Sequence, residues 1–273
     1  LLFTSFAWPK TRLYHAALLT GTTAHACILI LLIYWHQLTI PSAQNLRITQ
    51  HAMGWQQLTQ KTNELMQKHG KSNIIADQFM TTAQLAYGTD GQVKVSTLDH
   101  PLNDKHGRTP QLHIMSMMHQ GSASKADLIV VEQSALKLNE QMSHFSGLCQ
   151  SLGGLKWLSQ LDVNSGSKSF HFFEAGKQQC DLPAFFYGDA QHTGWVVTNK
   201  DKLDGIEIID TEGKRKVVEH QANSISAHDM FKTLDPNTYQ LFSFSCQNCA
   251  PESYQLRVNF KNGSSQVSQR FYP

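Results

Sequence analysis

The first hydrophobic pattern in the chain is an uninterrupted one. Residues 13–40 contain no Lys, Arg, Asp or Glu, and within them LYHAALLTGTTA runs directly into HACILILLIYW. A helix that spans a bilayer needs about 20 predominantly apolar residues, so this stretch predicts one transmembrane helix. His15, His25 and the Thr/Gly cluster at residues 20–23 suit a helix packed against other helices better than one alone in lipid. Tyr34 and Trp35 stand near one end, where aromatic belts form, and Pro41 closes the run. Lys10 and Arg12 precede it and the next basic residue is Arg47. The positive-inside rule then puts the N-terminal end in the cytoplasm and everything after about residue 41 outside. A secretory signal peptide fits less well, because the run is long and no Ala-x-Ala-like site follows. Residues 1–12 read as the end of a preceding membrane helix and a cytoplasmic turn, which makes the chain the expected C-terminal part of a larger membrane protein.

Beyond the uncharged stretch the pattern becomes periodic. Leu46, Ile48, Met53, Trp55, Leu58, Leu65 and Met66 recur mostly at intervals of three to four, which predicts an amphipathic helix over 46–70 ended by Gly70. A strand is expected at 72–76, a helix at 79–87, a turn at 88–91 and a strand at 93–98. Residues 99–125 are polar, with Pro101, Gly107, Pro110 and Gly121, and read as a long loop. ADLIVVEQ (residues 126–133) is a buried-type strand, followed by a helical segment at 135–141. Residues 155–163 and 168–174 alternate and are joined by NSGS, the pattern of a hairpin. Strands alternating with helices predict a small α/β layer with the hairpin at one edge. After Gly176 the period is that of strands alone: TGWVVTN, GIEIID, RKVVEH, YQLFSFS and YQLRVNF. That region predicts an antiparallel β-sandwich.

Composition adds one constraint. Charged residues are 16%, against about 25% in soluble domains, and the deficit lies in the uncharged stretch. A net charge of +2 and no Lys/Arg stripe give no footprint for nucleic acid.

Chemistry-bearing motifs are few. Cys246-Gln-Asn-Cys249 lies in an all-β region, away from the strand-to-helix step a redox pair uses. Outside the cytoplasm it reads as a structural disulfide, with Cys149 and Cys180 as competing partners. The 14 histidines make neither H-x-x-x-H nor H-E-x-x-H, so no metal site is expected, and no cofactor motif is present. There is no G-x-S-x-G elbow and no phosphate-binding glycine loop. Asp77, between the strand at 72–76 and the next helix, has the residue type of an N-cap. A ligand contact is the other reading.

Taken in order, the aliphatic helix ending at Pro41, Gly54-Trp55, Ala76-Asp77, Phe79, Gln84-Leu85-Ala86-Tyr87, Arg108-x-x-Gln111 and ADLIVVE resemble the C-terminal part of bacterial membrane glycosyltransferases of the dolichyl-phosphate-mannose mannosyltransferase-like group, the superfamily of the lipid A aminoarabinose transferase. The resemblance covers roughly residues 1–175. Relatives commonly carry Arg-x-x-Gln-Tyr-Asp-x-Trp where this chain has Arg108-Thr-Pro-Gln111-Leu112-His113-Ile-Met115, and a Glu where it has Gln84. The β-rich tail is similar to the Ig-like domains that some of these enzymes append. The fold class implied is α/β: one transmembrane helix (13–40), a small periplasmic α/β domain with a mixed sheet (46–178), and an all-β Ig-like sandwich (180–273).

The function implied is transfer of a sugar from a polyprenyl-phosphate donor to an envelope acceptor at the bacterial inner membrane. The family's catalytic carboxylate lies in an outer loop between N-terminal helices outside this chain. No residue here is therefore expected to be catalytic, and the fragment is expected to be inactive alone. Asp77, Arg108, Gln111 and His113 are the substrate-contact candidates. The implied partners are the N-terminal membrane helices, the lipid-linked sugar and the bilayer. The alternative is a membrane-anchored glycan- or protein-binding module without catalysis.

Overall fold

The computed structural model describes residues 12–34, 53–163, 168–176, 180–231, 234, 235, 237–246, 249, 253–268, 270 and 271. Two compact units divide at Met53 and Gly54.

The first unit contributes one described helix, α1 (Arg12–Tyr34). Its polar side chains bond their own backbone: Thr22 Oγ1 donates to the Leu18 carbonyl (2.8 Å) and Thr23 Oγ1 to that of Leu19 (2.6 Å). Back-bonding of this kind lets hydroxyls sit mid-helix without external partners. Among the described residues no helix is long and apolar enough to cross a membrane. The expected transmembrane helix is thus present as a helix but unsupported as a span. The polar cluster Thr20 to Thr23 with His25 interrupts its apolar character.

The second unit begins with α2 (Trp55–His69), β1 (Asn73–Ala76), α3 (Phe79–Gly88) and β2 (Lys94–Thr97). Next come α4 (Pro101–Lys105), α5 (Thr109–Ile114), β3 (Asp127–Glu132), α6 (Leu138–Ser151), β4 (Leu155–Val163) and β5 (Lys168–Ala175). The start of the amphipathic helix expected from residue 46 lies outside the described residues. The part described starts at Trp55, after Gly54. That glycine has φ +88°, and a Cβ there would overlap Val163, so no other residue fits without strain. The long loop expected over 99–125 instead contains α4 and α5. Pro101 and Pro110 sit in their first turns, where the missing N–H costs nothing and the fixed φ suits a helix start. The helix expected at 135–141 runs on to Ser151.

These strands make a mixed five-stranded sheet in the order β2-β1-β3-β5-β4. β1 is parallel to both β2 and β3, and the β4–β5 hairpin forms the antiparallel edge. Alternation sorts the core into two layers. Ile74, Leu128, Val130 and Phe172 face α2 and α3 with Leu58 and Leu85. Ile75, Ile129, Val131 and Phe173 face α6 with Met142, Phe145 and Leu148.

The remaining strands are β6 (Phe185–Gly188), β7 (Thr193–Asn199), β8 (Leu203–Ile209), β9 (Arg215–Ala222), β10 (Tyr239–Ser245), β11 (Gln255–Phe260) and β12 (Ser265–Val267), with a short α7 (Ala227–Met230). They form an antiparallel sheet in the order β12-β11-β8-β9-β10-β7-β6. The antiparallel character expected of this region is present. Two separate sheets of a sandwich are not, because β9 pairs with both β8 and β10 and joins the halves into one curled sheet. Phe185, Val197 and Leu241 of this sheet share the core of α6 and the first sheet. The Cys149–Cys180 disulfide fastens α6 to the segment before β6.

Candidate functional site

In open α/β sheets, ligands bind beyond the carboxyl ends of parallel strands where the strand order reverses. Here that point lies between β1 and β3, since the chain crosses from β1 to β2 on one side and then to β3 on the other. Asp77 follows β1 directly and Glu132 ends β3.

Asp77 is fully buried. Its Oδ2 accepts the Glu132 backbone N–H at 3.0 Å, while Oδ1 has no hydrogen-bond partner. The N-cap of α3 is Gln78, whose side-chain oxygen accepts the Met80 N–H at 3.4 Å. Asp77 as helix cap is thereby corrected: its carboxylate ties β1 to β3. Burial, and next the negative charge of Glu132, push the Asp77 carboxyl up to about 8.

Glu132 is held by three side chains. Gln78 Nε2 donates to Oε2 at 2.8 Å, Thr81 Oγ1 to the same oxygen at 3.4 Å, and Ser134 Oγ to Oε1 at 3.2 Å. These three donors are neutral, and the charge of Lys168 in β5 also acts on Glu132.

Two histidines complete the cluster. His100 follows β2 and is buried; its Nδ1 accepts the Leu102 N–H at 3.1 Å and caps α4. His144 comes from α6 and packs edge-on against His100, with ring centroids 4.8 Å apart. Burial holds both rings neutral, lowered to about 4. The Nε2 of each is buried with no partner. One ligand-type atom from each of Asp77, His100 and His144 lies within 4.8 Å of the other two. His144 also lines a surface groove with Leu98, Asp99, His119 and Gly121, while its Nε2 is buried.

Asn103 supports the same edge: its Oδ1 accepts the Phe79 N–H (2.8 Å) and its Nδ2 donates to the Leu98 carbonyl (3.0 Å). Of the other candidates, Arg108 is exposed with its guanidinium 5.8 Å from the centre of the Phe79 ring. Its Nη1 donates to Gln111 Oε1 at 3.3 Å. His113 is exposed and lines a different groove with Asn73, Lys94 and Asp127, residues at the amino ends of β1, β2 and β3. Asp77, Arg108 and Gln111 therefore share one edge of the sheet and His113 does not. Cys246 is bonded to Cys249, and Cys149 to Cys180.

His100, Glu132 and His144 were not singled out by local spacing. The available signal was position: a polar residue just beyond each parallel strand. No family model matches this chain, no curated protein matches it, and no solved structure matches it.

Proposed function

We propose that the chain is a non-catalytic C-terminal part of an inner-membrane glycosyltransferase that moves a sugar from a polyprenyl-phosphate carrier to an envelope acceptor. In this reading α1 lies in the membrane, the two sheets lie on the periplasmic side, and the base that activates the acceptor hydroxyl belongs to N-terminal membrane segments. The observation that carries it is the convergence of residues from separate parts of the resembling pattern. Asp77, Phe79, Arg108 and Gln111 meet at the carboxyl edge of the parallel strands, the edge at which open α/β sheets take ligands. Ile114 and Met115, at the end of α5, are 85% and 57% exposed, which suits a surface covered by another part of the same protein.

A second reading, a membrane-anchored glycan-binding module, is favoured by Tyr187. It is 47% exposed and stacked on Trp195 with ring centroids 5.6 Å apart, the kind of aromatic face on which a sugar ring packs.

Complementation separates them. In cells lacking the full-length gene, the full-length protein should restore envelope glycosylation and this chain alone should not. Restoration by the chain alone contradicts the first reading. Normal glycosylation by a full-length protein deleted for residues 54–273 favours the second.

A further inference from the structure

Three unpartnered atoms belong to residues that cluster at the end of β1. Asp77 Oδ1, His100 Nε2 and His144 Nε2 are all buried and all lack a hydrogen-bond partner, although buried polar groups are satisfied in the great majority of cases. The Asp77–His100–His144 cluster spans 4.8 Å at most, too wide for mutual hydrogen bonds across its whole width. Two ligands bound tetrahedrally at about 2.0–2.1 Å from one ion lie about 3.4 Å apart, so a small rotation of the side chains closes the set. The charge of Lys168 acts on Glu132, whereas burial beside Glu132 holds the Asp77 carboxyl protonated up to about pH 8, a state that a bound cation would reverse.

We propose that Asp77, His100 and His144 form a three-ligand site for a divalent transition-metal ion of the zinc type, with the fourth position left to water. Two imidazole nitrogens and one carboxylate oxygen match zinc. Magnesium and calcium take oxygen ligands almost exclusively. Three protein ligands with one open position is the pattern of sites that present a metal-bound water, whereas structural zinc sites close all four. The outer shell is in place on the Asp77 side, where the Glu132 N–H fixes Oδ2 and leaves Oδ1 as the ligand atom. One rearrangement is required. Because His100 Nδ1 accepts the Leu102 N–H, its ring proton sits on Nε2. A metal at Nε2 moves that proton to Nδ1, and the Leu102 amide loses its acceptor. Metal binding is thereby coupled to the first turn of α4. The inference does not rest on the glycosyltransferase reading.

Calorimetric titration of the metal-stripped full chain with zinc chloride tests it. The expected result is one tight equivalent beyond the weak background of the exposed histidines. His144→Gln should weaken that equivalent by more than the about 10–100-fold typical of outer-shell changes, and Asp77→Asn should weaken it likewise. Cobalt(II) in place of zinc should give the intense visible absorption of a four-coordinate ion, and the Leu102 amide should lose protection against hydrogen exchange on metal addition. If His144→Gln does not fold, the cobalt spectrum and the Leu102 amide of the unsubstituted chain decide. Wild type that binds zinc no tighter than folded His144→Gln, or cobalt bound with only the weak spectrum of an octahedral aquo ion, overturns the proposal and leaves a buried Asp–His cluster that only ties the strand ends together.

Discussion

Phe145 of α6 touches two histidines that differ in every other respect. His171 lies 5.8 Å from it and His144 lies 6.2 Å from it, measured between ring centroids. His171, fully buried in β5, is satisfied at both nitrogens. Nε2 donates to Gln133 Oε1 (2.7 Å), and Nδ1 accepts from Trp157 Nε1 (3.2 Å). Gln133 and Gln141 extend the network, with Gln133 Nε2 donating to Gln141 Oε1 at 3.1 Å. His144, next to Phe145 on α6 itself, sits beside His100 and Asp77 with orphaned atoms on all three. The same helix thus borders a closed polar network and an open one. A closed network holds one arrangement of the core. An open one is retained at a cost in stability, and such costs concentrate where a ligand is bound.

Four changes probe that contrast. The largest effect should come from His171→Ala, which leaves the Trp157 N–H and the Gln133 oxygen unpaired around a cavity. A loss of about 3–5 kcal/mol in denaturant unfolding is expected. A loss below about 1 kcal/mol would show that the network is not what holds this face of the sheet.

Next is the pH dependence of the same residue. Burial lowers His171 to about 3, from the usual 6.5. Its neutral form is favoured in the fold, so its contribution is complete above pH 6.5 and lost as pH falls through about 3, because the unfolded chain takes up the proton first. Stability curves of wild type and His171→Gln should converge across that window. Parallel curves would mean that the ring titrates normally.

Replacing both Cys149 and Cys180 with Ser releases the C-terminal end of α6 from the segment that leads into β6. The bridge closes a separation of 31 residues, and its loss should cost about 3 kcal/mol. The effect on thermal unfolding should be a single transition at lower temperature, since the two sheets share one core. Two separated transitions would show that they fold independently.

The smallest effect carries the opposite sign. Asp77→Asn keeps an oxygen for the Glu132 amide and removes a carboxyl that folding must hold protonated beside Glu132. Without metal it should stabilise the chain by about 1 kcal/mol. Destabilisation by several kcal/mol would place Asp77 with His171 as a structural residue.

Much of the scaffold is legible in the sequence, and much of the open site is not. DLIVVE reads as a buried strand because all six positions are apolar or terminal, and β3 is buried along its whole length. Leu58, Leu65 and Met66 mark the buried face of α2 at helical spacing. The helices α4 and α5 were hidden because Pro101 and Pro110 look like breakers unless they fall in a first turn. Asp77 has the residue type and position of a cap, yet the neighbouring strand offers it a buried N–H and Gln78 takes the capping role. His100 and His144 carry no mutual spacing signal, since one follows β2 and the other rides on α6. Only the sheet order brings them to Asp77.

The most direct measurement is a crystal structure of the zinc-loaded chain with anomalous data on both sides of the zinc edge. The account predicts one edge-dependent peak about 2.0–2.2 Å from Asp77 Oδ1, His100 Nε2 and His144 Nε2. A well-ordered cluster with no peak, or with Asp77 Oδ1 hydrogen-bonded to His100 Nε2 and zinc only at surface histidines, would contradict it.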